Sequence, residues 1–294
     1  MKTDGRRQSD NIEDRRGQSA GGGRFPGGKM GAGGGLGLII VVVLALVFGV
    51  DPRQLIDSGA LQNPSGATEQ PAAPYQETPE EAKRSELIRV VLAETEDTWS
   101  AIFKSAGKTY EQPKLVLFTG TVESACGLAQ SAAGPFYCPG DHKLFLDLSF
   151  FDDMALKLNA AGDFAMAYVI AHEVGHHVQT LLGVSGQVNQ LRQQASESEG
   201  NALSVKLELQ ADCLAGVWAN RTEAQQKILQ AGDIEEAMNA AAAVGDDRLQ
   251  KQAQGYVVPE QFTHGSSADR VKWFNKGLQS GDMNQCNTFA GGIP

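Results

Sequence analysis

The chain lacks an excess of basic residues. Its 294 residues include 25 Lys and Arg but 35 Asp and Glu, which give a formal net charge of −10 at pH 7. Binding to phosphate backbones requires concentrated Lys and Arg, so this balance disfavours a nucleic-acid partner. The sequence also contains no internal repeat. With 41% hydrophobic and 20% charged residues, the composition is typical of a globular protein that is large enough for one good core.

Charged residues are absent from Gly31 to Val50, and Leu36–Val50 consists almost wholly of Leu, Ile, Val and Ala. A run of about 20 apolar residues is long enough to cross the hydrocarbon core of a membrane. We therefore predict one transmembrane anchor at residues 30–50. A cleaved signal peptide is the alternative, because Ser58-Gly59-Ala60 offers a weak cleavage site. The polar stretch before the apolar run is long for a signal peptide, which favours the uncleaved anchor.

The basic cluster of the chain lies before this apolar run and outweighs the acids around it. Positive charge beside a membrane span tends to stay in the cytoplasm. We therefore predict a single-pass protein of the cell membrane, with a cytoplasmic N-terminus and a folded domain in the periplasm or outside the cell. The residues of the cluster are Arg6, Arg7, Arg15, Arg16, Arg24 and Lys29.

Composition divides the rest of the chain into three parts. Residues 1–29 are polar and glycine-rich, which predicts a disordered N-terminus. Residues 51–79 are rich in Pro, Gly, Ser and Ala, as is typical of a linker. Residues 80–294 are predicted to form the folded domain. Pro79-Glu80-Glu81 is a suitable start for its first helix, because acidic side chains favour the first helical turn.

The most informative motif is His172-Glu173-Val174-Gly175-His176, which follows the uncharged, proline-free stretch Phe164–Ala171. On a helix, the four-residue step places both imidazoles on one face, one turn apart, where they can share a metal ion. Glu173 returns near the same face, so its carboxylate can reach a water that the metal activates. A chance match is the alternative, since such short patterns recur in unrelated proteins.

A second motif, Glu208-Leu209-Gln210-Ala211-Asp212, lies in the predicted helix Asn201–Asn220. A catalytic zinc needs three protein ligands and one open position. Glu208 is our candidate for the third ligand. Asp212, one turn later, can accept the remaining ring N–H of a ligand histidine and so fix its orientation. The alternative is two solvated acids on an ordinary helix, but their neighbours are apolar.

At these motifs the chain resembles the bacterial membrane-anchored neutral zinc metallopeptidases and, more broadly, the gluzincins, which combine H-E-x-x-H with a later E-x-x-x-D. The resemblance implies a mainly helical, zincin-like α+β domain with a small β-sheet, preceded by one transmembrane helix and a disordered linker. It implies that His172, His176 and Glu208 bind Zn²⁺, that Glu173 is the catalytic acid/base, and that a peptide or protein is the substrate. The matching segments run from Cys126 towards the C-terminus: Cys126-Gly127, Gly134–Pro139, His172–His177, Glu208–Cys213, Gly245–Gln250, Phe262–Ser266 and Trp273-Phe274.

The chain has only four cysteines, and all of them follow the predicted anchor. An even number in an extracytoplasmic domain indicates two disulfides. Of the three possible connectivities, we choose Cys126–Cys138 and Cys213–Cys286. Alternatively, Cys213 could be a metal ligand because it follows Asp212, but catalytic sites of this ligand type use histidines and a carboxylate.

Three further histidines have different predicted roles. Thr263-His264-Gly265, before a helix that carries Arg270, resembles the Thr-His-Pro…Arg segment of membrane-associated zinc peptidases. That resemblance implies that His264 stabilises the oxyanion of the reaction, although glycine replaces proline here and a structural loop bond is the alternative. We predict a structural or surface position for His177 and an ordinary turn position for His142. Asp246-Asp247-Arg248 is interpreted as a structural cluster or a solvated loop.

Two strands are predicted, at Lys114–Phe118 and Lys143–Leu148, and two helices after the second motif, at Ile234–Val244 and Asp269–Gly277. Zinc peptidases commonly bind extended substrate along an edge strand. Residues 134–148 are our candidate for that strand, with ordinary sheet structure as the alternative.

The function predicted from the sequence is hydrolysis of peptide bonds by a neutral zinc endopeptidase. Two alternatives stay open. One is a non-catalytic, membrane-anchored binding or scaffold protein whose zinc is structural. The other is a zinc amidase that acts on a non-protein substrate of the cell envelope.

Overall fold

A computed structural model describes residues 1–18 and 75–289. Helices form most of it, and a small sheet lies on one side, which confirms the predicted mainly helical α+β class. The strands are β1 (Ile12–Asp14), β2 (Lys114–Phe118), β3 (Thr121–Ser124), β4 (Gly127–Gln130), β5 (Phe136–Cys138) and β6 (Lys143–Asp147). The α-helices are α1 (Pro79–Ser105), α2 (Ser149–Lys157), α3 (Asp163–Leu181), α4 (Val184–Arg192), α5 (Glu197–Gln226), α6 (Asp233–Ala243), α7 (Asp246–Gln254) and α8 (Ser267–Ser280).

Helix α1 begins where the sequence predicts. Thr78 is its N-cap, and the Thr78 side chain accepts a hydrogen bond from the Glu81 amide at 3.2 Å. The Glu81 carboxylate in turn accepts from the Thr78 amide at 2.8 Å. This reciprocal capping satisfies amides that the first helical turn leaves without a partner. Pro79 occupies the first turn, where its missing N–H costs nothing.

The main sheet has the strand order β1-β2-β6-β5. Strands β1, β2 and β6 are parallel, whereas β5 is antiparallel to β6 and forms an edge. The central strands β2 and β6 are mostly buried, and their sequences are therefore nearly continuous apolar runs. Strands β3 and β4 form a separate hairpin. The sheet therefore presents its antiparallel edge, β5, on the side where it packs against α3.

Helix α3 is central to the helical layer, and it packs against α1, α5 and α6. Helix α5 also packs closely against α8, because glycines let the two backbones approach. A Cβ atom added at Gly277 would lie 1.9 Å from the carbonyl oxygen of Cys213, and one added at Gly216 would lie 2.1 Å from that of Phe274. The core between these elements holds large side chains with almost no exposure: Trp99, Phe164, Tyr168, Trp218 and Phe274.

Both predicted disulfides are confirmed. Cys126–Cys138 joins the β3–β4 turn to the edge strand β5, and Cys213–Cys286 joins α5 to the C-terminal segment after α8. Because Cys213 is engaged in a disulfide, the alternative in which it binds a metal is wrong.

The prediction that residues 1–29 are disordered is wrong for residues 1–18. This segment lies along α1 and supplies β1, which adds an edge strand beside β2. Its contacts are mainly ion pairs and polar hydrogen bonds. The lack of apolar residues therefore led to a wrong prediction of disorder. The predicted anchor at 30–50 lies outside the described residues, as does most of the linker 51–79. Within 1–18 and 75–289, no helix has the length and apolar character needed to cross a membrane.

Candidate metal centre

Helix α3 carries the two histidines of the first motif on one face. His172 is buried and His176 half-buried, and their ring centroids lie 4.8 Å apart. The helix forms here because an apolar, proline-free stretch precedes the motif and packs into the core. Both Nε2 atoms point towards the same place, the Glu208 carboxylate of α5. The structure therefore confines the two imidazoles to one shared site.

Glu208 completes a cluster of three ligand groups. Its Oε2 atom lies 3.1 Å from His172 Nε2, and its Oε1 atom lies 3.4 Å from His176 Nε2. Helices α3 and α5 can approach this closely because Gly175 has no side chain. A Cβ atom at position 175 would lie 3.0 Å from the Ala211 carbonyl oxygen. The glycine inside the first motif thus sets the distance between the histidines and the glutamate.

Asp212 is the hub of a buried network behind the cluster. Its Oδ1 atom accepts hydrogen bonds from His172 Nδ1 at 2.8 Å, from the Tyr168 hydroxyl at 2.5 Å and from Arg270 Nη2 at 2.9 Å. Its Oδ2 atom accepts from Arg270 Nε at 2.9 Å. The carboxylate and the guanidinium are both almost completely buried. Asp212 therefore fixes the ring of His172 so that Nε2 faces Glu208.

His176 is oriented by a residue that the sequence reasoning missed. Its Nδ1 atom donates to Gln179 Oε1 at 2.9 Å. The Gln179 side chain is fully buried, and its Nε2 atom donates to the Leu207 carbonyl oxygen at 2.7 Å and to Gln210 Oε1 at 3.0 Å. These bonds leave His176 Nε2 as the nitrogen that is available for a metal. The signal was present in the spacing, because a residue three positions after His176 lies on the same helical face.

The charges of the cluster shift the pKa values of its members. Burial opposes protonation of His172, but the charge of Asp212 and the hydrogen bonds to Asp212 and Glu208 raise its pKa to about 10. Burial also opposes ionisation of Glu208, yet the two histidines hold its pKa well below the usual range. Arg270 has the same effect on Asp212, whose pKa is lowered despite its burial. The carboxylates are therefore ionised and strongly attract a cation.

The cluster fits a zinc ion. Zinc bonds of about 2.0–2.1 Å in a tetrahedral arrangement place neighbouring ligand atoms about 3.3–3.4 Å apart. The nitrogen–oxygen distances of 3.1 and 3.4 Å agree with this spacing. The ligand atoms of His172, His176 and Glu208 all lie within 4.8 Å of one another. Both Nδ1 atoms are held by acceptors, as metal-binding histidines require.

Glu173 lies on α3 between the two histidines in sequence. Its side chain is half-buried. Among the described residues, its carboxylate has no hydrogen-bond partner, although its charge contributes to the raised pKa of His176. Glu173 is therefore placed near the ligands with its oxygens free to accept a proton or a hydrogen bond.

His264 lies on the loop before α8, close enough to Glu208 for their charges to interact. Its Nδ1 atom donates to Asp246 Oδ1 at 3.1 Å. Asp246 Oδ2 accepts from the amides of Thr263 at 2.7 Å, His264 at 2.6 Å and Gly265 at 2.9 Å. Burial opposes ionisation of Asp246, but the hydrogen bond and the charge of His264, together with the amide hydrogen bonds, lower its pKa. Asp246, interpreted from sequence as structural, thus organises the whole loop that holds His264.

Gly265 explains the departure from the Thr-His-Pro pattern. Its φ angle of +98° lies in the region that favours glycine, and proline cannot adopt it. A Cβ atom there would also approach Leu209 Cδ2 to 3.2 Å and Val205 Cγ1 to 3.3 Å. The loop therefore packs directly on α5 beside Glu208. The charge of Glu208 contributes to the raised pKa of His264, which burial opposes.

The remaining histidines are not part of the cluster. His177 is completely buried, and its Nε2 atom donates to the Glu111 carbonyl oxygen at 2.7 Å. Its Nδ1 atom accepts from the Tyr137 hydroxyl of β5 at 3.1 Å. Burial lowers the pKa of His177 to about 4, so the ring is neutral and structural. His142 packs against this ring and pairs with Glu111 at the surface.

A second group of acids in the described residues resembles a metal site but has another partner. Asp163, Asp233 and Glu236 bring their oxygens together near the start of α3. The α-ammonium group of Met1 is paired with Asp163 and lies 3.3 Å from Asp233 Oδ1. Glu236 accepts from the Phe164 amide at 3.0 Å. These contacts already supply the positive charge that the acids need.

Two helix-borne histidines completed by a glutamate from a second helix are the ligand set of a class of catalytic zinc hydrolase sites. Comparison with known proteins agrees with this class. Residues 1–289 match the model of a family described as "Putative neutral zinc metallopeptidase", so the chain belongs to the neutral zinc metallopeptidase family.

Similar proteins occur in Escherichia coli and Mycobacterium tuberculosis. The chain is 52% identical over 303 aligned residues to the Escherichia coli K12 protein named "Uncharacterized protein YpfJ", and the alignment covers 100% of both chains. It is 42% identical over 260 residues to the Mycobacterium tuberculosis H37Rv protein named "Uncharacterized protein Rv2575", which covers 84% of this chain and 85% of that protein. No solved structure matches the chain.

Proposed function

We propose that the protein is a zinc-dependent endopeptidase. The observation that carries this proposal is the convergence of His172 Nε2, His176 Nε2 and the Glu208 carboxylate. The charge of Glu173 acts on His176, and its carboxylate has no hydrogen-bond partner within residues 1–18 and 75–289. A structural zinc site has no need for a free acid next to its ligands. His176 and Glu208 also keep partly exposed side chains, at 14% and 17%, so a substrate can reach them.

The two ligand histidines are held in position before any substrate arrives. Asp212 fixes His172, and Gln179 fixes His176. A zinc ion bound there supplies Lewis-acid activation of a water molecule and of the scissile carbonyl group. Preorganised ligands limit the reorganisation that the site undergoes during the reaction.

Glu173 is the proposed general base and general acid. Its carboxylate accepts a proton from the water that attacks the scissile carbonyl carbon. The same carboxyl group then gives this proton to the nitrogen of the leaving amine as the C–N bond breaks. The proton is thus conserved, and Glu173 returns to its ionised form after each turnover.

His264 is the proposed donor to the negative charge that develops on the carbonyl oxygen. Its Nδ1–H is held by Asp246, which leaves Nε2 as the ring nitrogen that can face the reacting group. A charged donor strengthens a hydrogen bond to an oxyanion. The three amide bonds to Asp246 fix the loop, so this donor is already in position.

Strand β5 is the proposed docking edge for the substrate backbone. It is the antiparallel edge of the main sheet and packs on α3, the helix that carries the motif. The hydrogen bond between Tyr137 and His177 ties the strand to that helix. An extended peptide paired with this edge would lie beside the helix that carries the two ligand histidines. This narrows the sequence-based candidate, residues 134–148, to Phe136–Cys138.

We further propose that the enzyme acts outside the cytoplasm. Its two disulfides support this location, because such bonds persist in oxidising compartments.

The test is the Glu173→Gln variant, with Glu235→Gln of the exposed face of α6 as the matched control. Glu173→Gln should bind as much zinc as the wild type but lose about 10²-fold or more of its peptide hydrolysis, a typical loss for a general base. Full activity on a peptide library with Glu173→Gln rules out the proposed mechanism. Activity confined to amides of cell-envelope preparations would instead indicate the amidase, and zinc without either activity a structural role.

A further inference from the structure

The N-terminal segment, residues 1–18, docks on an acidic face of α1 and on the free edge of β2. We call this segment the arm. Arg6 pairs with Glu94 at 2.8 Å, and Arg7 pairs with Glu96 and Asp97 at 2.9 Å each. Glu94 and Glu96 are buried beneath the arm. Two arginines of the arm thus pair with three acids of the helix.

Glu96 shows how closely the arm and the helix fit each other. Its carboxylate also accepts hydrogen bonds from the Ser9 hydroxyl at 2.5 Å and from Asn11 Nδ2 at 2.8 Å. All of its hydrogen-bond partners among the described residues therefore come from the arm. Burial of a carboxylate that is only 1% exposed costs free energy unless such partners form hydrogen bonds with it. The arm is consequently a component of the folded domain and not an appendage.

Backbone pairing continues the contact into the sheet. Strand β1 of the arm runs parallel to β2, with Ile12 opposite Leu115 and Asp14 opposite Leu117. The side chain of Glu13 reaches across to Lys143 of β6 at 2.8 Å. An edge strand covers hydrogen-bonding groups that would otherwise face solvent, so the arm completes the sheet.

The arm ends at the same place where the chain returns to the domain. Arg16 is almost fully buried and pairs with Glu77 at 2.6 Å, and its guanidinium lies 4.8 Å from the centre of the Tyr75 ring. Gly17 lies against the same ring, where an added Cβ would be 3.3 Å from Tyr75 Cδ2. Residues 16–17 and 75–77 therefore form a clasp that joins both ends of the intervening segment 19–74.

The charge-free run Gly31–Val50 belongs to this intervening segment. One helical crossing of a membrane takes about 20 residues, so the run is long enough for one crossing and too short for two. A single crossing would place the arm and the domain on opposite sides of the membrane. The clasp and the matched ion pairs hold them together on one side.

The arginines of the arm do not indicate on which side of a membrane the N-terminus lies, because their charges are already paired. Positive charge retains a segment in the cytoplasm when it is free to interact there. Arg6, Arg7 and Arg16 are each paired with carboxylates of the domain, and Arg15 is paired with Glu13 of the arm itself. We propose that residues 1–18 and 75–289 form one folded body and therefore lie on the same side of a membrane.

The proposal is tested on the full-length chain in intact cells. The four native cysteines are paired, so single reporters can be added at two exposed positions, Gln8→Cys in the arm and Leu156→Cys in α2. A membrane-impermeant maleimide should label both variants or neither before the cells are permeabilised, and both afterwards. Labelling of one variant without the other in intact cells overturns the proposal.

A second measurement checks the docking itself in native membranes or lysate. A zero-length carbodiimide should join the Glu13 carboxylate to the Lys143 amine, because these groups already form an ion pair. Mass spectrometry should find this cross-link in the wild type, and the Glu13→Gln variant should lose it. If the wild-type chain gives no cross-link between positions 13 and 143, the arm is not docked and the inference fails. Neither the labelling nor the cross-link depends on catalytic activity, so failure of this inference would leave the proposed function untouched.

Discussion

The Asp212→Asn substitution separates two effects of the network behind the metal cluster. The amide is nearly isosteric with the carboxylate but has no charge. Asp212 is completely buried, and Arg270 is 4% exposed, so the substitution leaves a buried guanidinium without its counter-ion. Breaking such a pair costs about 3–5 kcal/mol. The free energy of unfolding of the zinc-free protein should therefore fall by about this amount.

The same substitution should weaken zinc binding. In the wild type, His172 Nδ1 donates to Asp212 Oδ1 at 2.8 Å, and a carboxylate in this position raises the basicity of the ligand nitrogen. Loss of such a partner typically lowers metal affinity about 10–100-fold, which corresponds to about 1.4–2.7 kcal/mol. Competition with a chromophoric chelator measures the affinity, and urea unfolding in excess chelator measures the stability.

A double variant, Asp212→Asn with Arg270→Gln, separates the two effects. Removing the unpaired guanidinium should restore part of the stability, because no buried charge then remains without a counter-ion. It should not restore zinc affinity, because His172 still lacks a carboxylate. If folded Asp212→Asn binds zinc as tightly as the wild type, the proposed orienting role of Asp212 is wrong.

Three further predictions follow from other contacts. Gln179→Leu removes the acceptor of His176 Nδ1 and should lower zinc affinity at least about 10-fold in the chelator assay; unchanged affinity would refute the role of Gln179. Gly277→Ala places a methyl group 1.9 Å from a carbonyl oxygen of α5 and should lower the free energy of unfolding by about 1–3 kcal/mol or more, measured by thermal unfolding. The control Gly186→Ala meets no atom within 4 Å and should be neutral or stabilising. Equal melting temperatures of the two variants would contradict the close packing of α5 on α8. Cys213 and Cys286 are 73 residues apart, and replacing both by serine should lower the free energy of unfolding in urea by about 4 kcal/mol by the chain-entropy relation. Replacing Cys126 and Cys138, which are 12 residues apart, should cost less. A larger loss for the Cys126–Cys138 pair would contradict the chain-entropy relation for this protein.

The elements that the sequence predicted well have local signals. Thr78 and Ser266 are N-caps whose side chains mark the first turns of α1 and α8. Strand β2 was predicted at its observed bounds because its apolar run is short and uninterrupted. Such signals depend only on neighbouring residues, and they can therefore be read without knowledge of the tertiary contacts.

The arm and α7 were harder to predict because polar groups hold them in place. Helix α7 is polar, and its buried side chains are those of Asp246, Leu249 and Gln250. The arm is held by ion pairs to residues about 90 positions away, such as Arg6 with Glu94. Hydrophobic periodicity cannot indicate such contacts, because it registers only the apolar face of an element.

The candidate site shows the same division between local and distant signals. The four-residue step of the first motif predicts two histidines on one face, and Glu208 and Asp212 follow the same spacing on α5. Tyr168 lies one turn before His172 on that face, so its contact with Asp212 was open to the same reasoning. The pairing of Asp246 with His264 could not be predicted in this way, because it joins the start of α7 to a loop that only the folded chain brings beside it.

The coordination of zinc in the purified wild-type protein is the most direct test of the central claim. X-ray absorption at the zinc edge should show one bound ion with nitrogen and oxygen neighbours at about 2.0–2.2 Å, including the scattering pattern of two imidazole rings, and no sulfur. The His176→Ala variant should lose one of the two imidazole contributions or the ion itself. A zinc–sulfur distance of about 2.3 Å, or a wild-type protein that binds no zinc, would contradict the account.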